Sequence, residues 1–399
     1  MAGRPLSVAV VGAGIGGLAV GTALRLRGVD ARVYEQATAL TSVGAGIAVG
    51  ANGSRLLARL GATERLEETA VRPERAQFHR WADGTPFCSH EMGAHYESLF
   101  GAPFYTVHRG DLQRVLRDTY VAAGGEVLLG RACAGVAQDA DGVELSFRDG
   151  STARADVLIG ADGVHSAIRT TVAGPDTAVF SGTSGFRGLA PVDRLPRVPE
   201  LGFDPARPAL WLFPGPGRHL ISYPVSGGRL VNFLAVIPDP GWTLESWVAE
   251  DDPANAVAAF AGWNPVVTAL LGAVDEISRW ALYDREPLAH WSFGRITLLG
   301  DAAHPMLPHH GQGGNQAIED AIVLANCLAG AEPGDVAAAL RAYESARRPR
   351  ARQLQLGSRR NGECFQVPDG PATEERDRRL ATLPDQLAFI HGHDVEHPV

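Results

Sequence analysis

The run Arg218-His-Leu-Ile-Ser-Tyr-Pro-Val225 alternates so that His219, Ile221 and Tyr223 project to one face of a strand. An imidazole and a phenol on either side of an apolar residue form a candidate pocket wall that can take a proton from a bound molecule and orient it. We read His219 as a base and Tyr223 as the residue that orients a bound ring; a structural histidine with a satisfied hydrogen bond is the competing reading. Arg187, in Gly185-Phe-Arg-Gly188, is the cation expected for an anionic substrate, and a surface salt bridge is an equally good reading of it. Gly12-Ala-Gly14-Ile-Gly-Gly17 addresses a different chemistry. Gly12 permits a tight turn, Gly14 lets the backbone approach a pyrophosphate, and Gly17 lets a helix pack closely on a strand.

These residues need elements to hold them. Residues 6–11 read as a buried strand, Leu18 to Arg27 as a helix stopped by Gly28, and Ala31 to Glu35 as a second strand. Glu35 at that strand's end can accept both hydroxyl hydrogen bonds of a ribose, which completes a dinucleotide fingerprint without deciding between NAD and FAD. Further on, 126–147 reads as a hairpin or meander and Asp156 to Gly160 as another buried strand. Short strands punctuated by Pro and Gly fill about 180–240, and 244–272 reads as helical. Arg295 to Leu299 returns to buried-strand character before a long helix from about Gly314 to Leu328. The basic run from Arg347 to Arg360 has helical spacing and reads as a solvated helix face. The last thirty or so residues are polar and His-rich and read as a loose tail.

Two further motifs select the cofactor. Asp156-x-x-x-Gly160-x-Asp162-Gly163-x-x-Ser166-x-x-Arg169 is followed much later by Gly300-Asp301-Ala-Ala-His304-Pro305 and Gly311-Gln-Gly-Gly-Asn315. Together they resemble the flavoprotein monooxygenases similar to p-hydroxybenzoate hydroxylase and salicylate hydroxylase. The resemblance implies FAD in the fingerprint, with Asp162 near the pyrophosphate and Asp301 on the ribityl chain. It also implies that the helix after Gly311, Gly313, Gly314 and Asn315 aims its N-terminus at the flavin pyrimidine ring. Such a helix end stabilises the negative charge of reduced flavin. Arg109 resembles the arginine close to the FAD phosphates. Gly46, within Gly44-Ala-Gly-Ile47, resembles the loop against which the isoalloxazine moves. Tyr283-Asp-Arg-x-Pro287-x-x-x-Trp291 resembles the salicylate hydroxylase branch, and the Pro308-His309 pair resembles 6-hydroxynicotinate enzymes, which makes His309 a second candidate base. His310 departs from that pattern, and His304 reads as structural.

The expected fold is α/β: a Rossmann-like FAD-binding domain interwoven with a β-sheet-rich substrate domain, plus C-terminal helices. The FAD domain takes 1–71 with 106–175 and 287–362, the substrate domain 72–105 with 176–286, and the polar tail 363–399. The implied reaction uses NADH or NADPH as a transient co-substrate and O2, through a flavin C4a-hydroperoxide, to hydroxylate a small aromatic that is phenolic or a hydroxy acid. With one dinucleotide fingerprint, held by FAD, the nicotinamide has no Rossmann domain of its own. A decarboxylating hydroxylase, an epoxidase or a natural-product tailoring oxygenase would use the same scaffold. A non-catalytic FAD-binding redox sensor and an NAD-dependent dehydrogenase are readings of other classes, and the second leaves two motifs unexplained.

Composition narrows the partners. A net charge of −9 disfavours nucleic acid and anionic membranes. Cys88, Cys133, Cys327 and Cys364 show no CxxC spacing, which suits a reducing cytoplasm better than a disulfide framework or zinc site. His304, His309 and His310 lack a carboxylate or thiol to complete metal-ligand spacing. The uncharged stretch from Leu6 to Leu24 is glycine-rich and lacks a polybasic start, so neither a signal peptide nor an anchor is expected, and the enzyme is expected to be a cytoplasmic monomer or homodimer.

Overall fold

The computed structural model describes residues 6–40, 44–195, 207–241 and 249–397. Two large sheets organise them. The first has six strands in the order Ser292–Phe293, Ile296–Leu298, Val157–Gly160, Ser7–Val11, Asp30–Tyr34 and Val127–Leu128. All neighbours run parallel except the pair at the 292–298 edge. Its central strands are continuous apolar runs because helices cover them. Ile15–Arg25 packs against Gly313–Leu328, and Val8, Val10, Leu18, Leu158, Ile318 and Ile322 share one core.

The second sheet has eight strands in the order Ala249–Asp251, Ile277–Asp284, Val179–Pro191, Leu230–Pro238, Arg218–Val225, Ala209–Gly215, Arg75–His79 and Pro86–Glu91. Only the 209–215 and 75–79 pair is parallel. Strand alternation gives the sheet two unlike faces. Trp211, Phe213, Leu220 and Phe233 point one way, into a core closed by the helices Pro253–Ala259 and Pro265–Gly272, so these aromatics are structural. His219, Ile221 and Tyr223 point the other way, beside Leu212 and Leu234 of the flanking strands.

Four local expectations change. Over 126–147, Val127–Leu128 joins the parallel sheet, and the meander is instead Cys133–Gln138, Val143–Phe147 and Thr152–Ala155. Within 244–272, residues 242–248 lie outside the described set, Ala249–Asp251 is a strand, and two short helices are separated by Gly262 and the cap Asn264. The basic run is not simply a solvated face. In the 30-residue helix Val336–Phe365, Arg347 is buried with Nη1 2.7 Å from Glu319 Oε2 and Nε 2.8 Å from Asp320 Oδ1, and Arg350 Nε lies 2.8 Å from the same Glu319 oxygen.

The fourth change is the tail. It forms the helices Pro371–Ala381 and Leu383–His391. Leu380, Leu383, Leu387 and Ile390 recur at helical spacing inside the polar composition, and that stripe has a core to join. Arg350 donates to the carbonyls of Phe389 and Ile390, and Arg55 to that of His393, which fastens the chain end to the body. No described helix is long and apolar enough to cross a membrane.

Candidate active site

At the end of the strand Ser7–Val11 the chain turns with Gly12 at φ +107°, a conformation that any Cβ would strain and that here would also drive it to 2.4 Å from Ala161 O. A Cβ on Gly17 would lie 1.9 Å from Gly12 O, so the close packing of helix on turn demands glycine there too. A Cβ on Gly14 would meet nothing within 4 Å. That open cradle lies at the N-terminus of Ile15–Arg25, whose first N–H groups have no intrahelical partners. The residues therefore fit a dinucleotide pyrophosphate. Glu35 accepts from Ala13 N–H at 2.8 Å and Ala37 N–H at 2.9 Å, which holds its carboxylate beside the cradle. Gln113 ties the same loop through Ala13 O. Arg109 begins the helix Arg109–Ala122, its backbone N–H bound to Ala45 O and its side chain lining the large cavity.

Two predicted cofactor ligands have other uses for their side chains. Asp162 accepts from Ser166 Oγ at 2.5 Å and Ala167 N at 2.8 Å, and Ser166 in turn caps Arg169 N. Arg169, buried, donates to Ala302 O and Asp301 O, so this motif braces the loop that carries Asp301. Asn315 Oδ1 accepts from Gly50 N, and its Nδ2 donates to Ala48 O and Gly311 O, stitching two loops together. Both side chains brace the loops that carry them.

Asp301, by contrast, opens to the cavity. Burial raises its carboxyl above the usual range, with His304, Arg109 and Arg169 opposing. Gly311 at φ +62°, Gly313 and Gly314 then bring the N-terminus of Gly313–Leu328 to the cavity edge beside Asp301. Across from them, Gly46 N–H donates to Asn232 Oδ1 at 2.7 Å. A Cβ on Gly46 would lie 2.5 Å from Tyr223 Cε2, so glycine is what lets this loop lie against the second sheet.

The cavity between these loops and the second sheet has a volume of about 620 Å³. It brings His219, Tyr223, Arg187 and His309 together with the flavin-side residues Gly46, Arg109, Asp301, Gly311, Gly313 and Gly314. Arg187 lines the cavity and is largely withdrawn from solvent. Its guanidinium lies 4.1 Å from the centroid of the Trp280 ring, and desolvation, helped by the charge of Arg109, pulls its pKa down to about 10. His219 is buried, and burial followed by the charge of His309 holds it well below the ordinary imidazole range. Burial brings His309 down to about 4, with help from His310. Both are neutral at pH 7. Burial likewise raises the Tyr223 phenol, so it stays protonated. His304 is 2.6 Å from Asp320 and structural, as its flanking residues suggest.

Sequence reasoning missed one wall of this cavity. Phe365, Leu380, Leu383, Leu387 and Ile390 line it from the C-terminal helices, and the helical spacing of the last four was the available clue. Asn232 and Gln366 were also missed. Each is defined by a partner remote in sequence, and nothing local announces it.

Residues 5–357 match the family described as FAD binding domain. The 3-amino-4-hydroxybenzoate 2-monooxygenase of Streptomyces platensis is 44% identical over 390 residues, covering 97% of this chain and 96% of the relative. The 6-hydroxynicotinate 3-monooxygenase of Bordetella bronchiseptica is 37% identical over 363 residues, covering 90% and 92%. Among solved structures, Klebsiella pneumoniae HpxO complexed with FAD and uric acid superposes with a TM-score of 0.84 at 32% identity over 96% of each chain. A salicylate hydroxylase substrate complex gives 0.83 at 30%, over 98% of this chain and 96% of that one. With the cradle, the Asp301 loop and the ring-sized cavity in place, the chain belongs to the FAD binding domain family and, within it, to the FAD-dependent aromatic monooxygenases.

Proposed function

We propose that this enzyme hydroxylates a ring acid that carries a hydroxyl and an amino group, of the 3-amino-4-hydroxybenzoate class, with NADH or NADPH and O2 as co-substrates. The observation that carries the reading is the polarity of the cavity: apolar walls, a desolvated cation at Arg187, and the neutral His219 and Tyr223 on the same sheet face. The 44% relatives named for that substrate support it.

Bound FAD supplies the redox chemistry, reduction by the nicotinamide and activation of O2. The chain's own residues bind, orient and exclude water. Gly12, Gly14, Gly17 and Glu35 hold the dinucleotide, and Arg109 and Asp301 hold its central portion. The N–H groups opening Gly313–Leu328 stabilise negative charge on the ring system. Arg187 pairs with the substrate carboxylate in surroundings already shielded from water, where such a pairing is strong. His219 acts on the ring hydroxyl, as base or as donor according to which nitrogen it presents, and Tyr223 orients the ring. His309 closes the cavity against the flavin side, where Trp280 and the C-terminal leucines keep water out.

The test is NAD(P)H oxidation by the holoenzyme with 3-amino-4-hydroxybenzoate, 4-hydroxybenzoate, salicylate, 6-hydroxynicotinate and the carboxylate-free 2-aminophenol and phenol, with product identification. Strong stimulation and a hydroxylated product from the amino-hydroxy acid support the assignment. Stimulation only by rings lacking a carboxylate would refute it.

A further inference from the structure

The last turn of Val336–Phe365, beyond the 5–357 stretch shared with the family, closes over the two cavity imidazoles. It reaches the His219 strand twice. Gly217 N–H donates to the Gln366 carbonyl at 2.9 Å, and Gln366 Nε2 lies 3.3 Å from His219 Nδ1. Phe365 packs edge-on to the His219 ring with centroids 5.4 Å apart, and His309 does so at 5.1 Å. Asn361 Nδ2 donates to His309 O at 3.2 Å, and a Cβ on Gly362 would fall 2.6 Å from the His309 ring. This turn fixes both rings in position.

The Gln366 contact has a chemical consequence. With the amide turned this way its nitrogen offers hydrogens and no lone pair, which makes Nδ1 of His219 the acceptor. A neutral imidazole has one proton, which then resides on Nε2. With Nδ1 engaged, Nε2 is the nitrogen left for a bound molecule, and it presents a donor. We infer that Gln366 is a positioning residue that makes His219 a hydrogen-bond donor at Nε2, so that the ring hydroxyl is held as its oxyanion rather than deprotonated by His219.

The inference rests on the reading that His219 meets the substrate hydroxyl, and it reverses the direction expected for the proton. The hydroxyl O–H bond breaks as the substrate binds, its proton passes to solvent, and its electron pair stays on oxygen. His219 keeps its proton and donates it in a hydrogen bond. The ring gains the same activation a base would give, since an ionised hydroxyl feeds electrons to the carbon that is oxygenated. Groups facing His219 are consistent with this. His309 packs on it from the loop before Gly311, Tyr223 shares its strand, and the flanking strands place Pro214 and Val236 opposite it. Arg187, across the same cavity, favours anionic forms.

The test has two arms on the FAD-loaded enzyme. First, 15N NMR of histidine-labelled protein, assigned with His219→Gln, reads the tautomer directly. We expect protonated Nε2 and bare Nδ1, reversed in Gln366→Glu, whose carboxylate can only accept. A proton on Nδ1 in the wild type overturns the inference. Second, ultraviolet difference spectra of bound 3-amino-4-hydroxybenzoate against pH read ionisation of its hydroxyl. It should ionise about one to two pH units below the free compound, the effect of one hydrogen bond to a charged oxygen. The shift should vanish in His219→Leu, which offers no donor, and in Gln366→Glu. A bound ligand that titrates like the free one, or a shift that survives both substitutions, overturns the inference. Failure of that compound to bind would count against the ring-acid reading alone, and the NMR arm would still decide the tautomer.

Discussion

Replacing Arg187 with methionine keeps most of the side-chain volume over Trp280 and deletes the charge. The size of the effect follows from the guanidinium's surroundings. A lowering of its pKa to about 10 means that desolvation, together with the charge of Arg109, already disfavours the protonated form by about 3 kcal/mol, an order-of-magnitude figure. A substrate carboxylate recovers part of that and adds a charge-assisted hydrogen bond of about 1.5–3 kcal/mol. Arg187→Met should therefore lower kcat/KM for a ring acid by roughly 100-fold, about 2.7 kcal/mol, mostly through KM. The assay is steady-state NAD(P)H oxidation with product analysis, run with the acid and with its carboxamide on both proteins. The carboxamide should lose less than about fivefold, giving a clear interaction energy in the cycle. The pH dependence has a definite sign. Arg187 is charged below about 10, so KM for the acid should rise as pH passes that value in the wild type and stay flat in the variant. Equal losses for acid and carboxamide would refute the pairing of Arg187 with the carboxylate.

Other consequences are simpler to state. Glu35→Arg removes the acceptor for Ala13 and Ala37 N–H and puts a cation beside the ribose position, so FAD retention through gel filtration should fall by at least tenfold while the circular dichroism stays native; unchanged FAD affinity would remove Glu35 from the fingerprint. Arg347→Met strands Glu319 and Asp320 in the core and should cost about 3–5 kcal/mol in denaturant unfolding, and a loss below about 1 kcal/mol would show that Arg350 and His304 suffice. Burial pushes Asp320 up, but His304 and Arg347 more than offset it and hold it at about 2. Its unfolded value near 3.9 is higher, so it contributes about 2–3 kcal/mol above pH 4 that disappears as pH falls through 2, and Asp320→Asn should flatten acid unfolding in that window.

The parts of the fold that were legible in the sequence are those written as local backbone constraints. Gly12 must be glycine because of its own φ of +107° and Gly17 because Gly12 O lies against it, and Glu35 follows a strand whose start the same pattern defines. The alternation that placed His219, Ile221 and Tyr223 on one face needed only the pleat, and the structure puts all three on the cavity. What escaped depends on distant partners. Arg347 and Arg350 have the spacing of a solvated face, and only the approach of Glu319 and Asp320 from another helix turns them into a buried network. Asp162 and Asn315 were found as motif positions, and the loop-bracing bonds their side chains make to Ser166, Ala167, Gly50, Ala48 and Gly311 were not legible. The C-terminal helices are polar in composition, so the stripe from Leu380 to Ile390 matters only once a cavity exists for it to line. Gln366 meets His219 across 147 residues, and no local pattern encodes which imidazole nitrogen will be left free.

The account stands on oxygen transfer from O2 to an aromatic ring by an FAD-loaded protein. The most direct measurement incubates the yellow holoenzyme with NAD(P)H, 3-amino-4-hydroxybenzoate and 18O2, then weighs the product by mass spectrometry. The account predicts one labelled oxygen atom in a ring-hydroxylated product, at close to one product per nicotinamide oxidised. A protein that stays colourless with added FAD, or a product whose new oxygen comes from water, would contradict it.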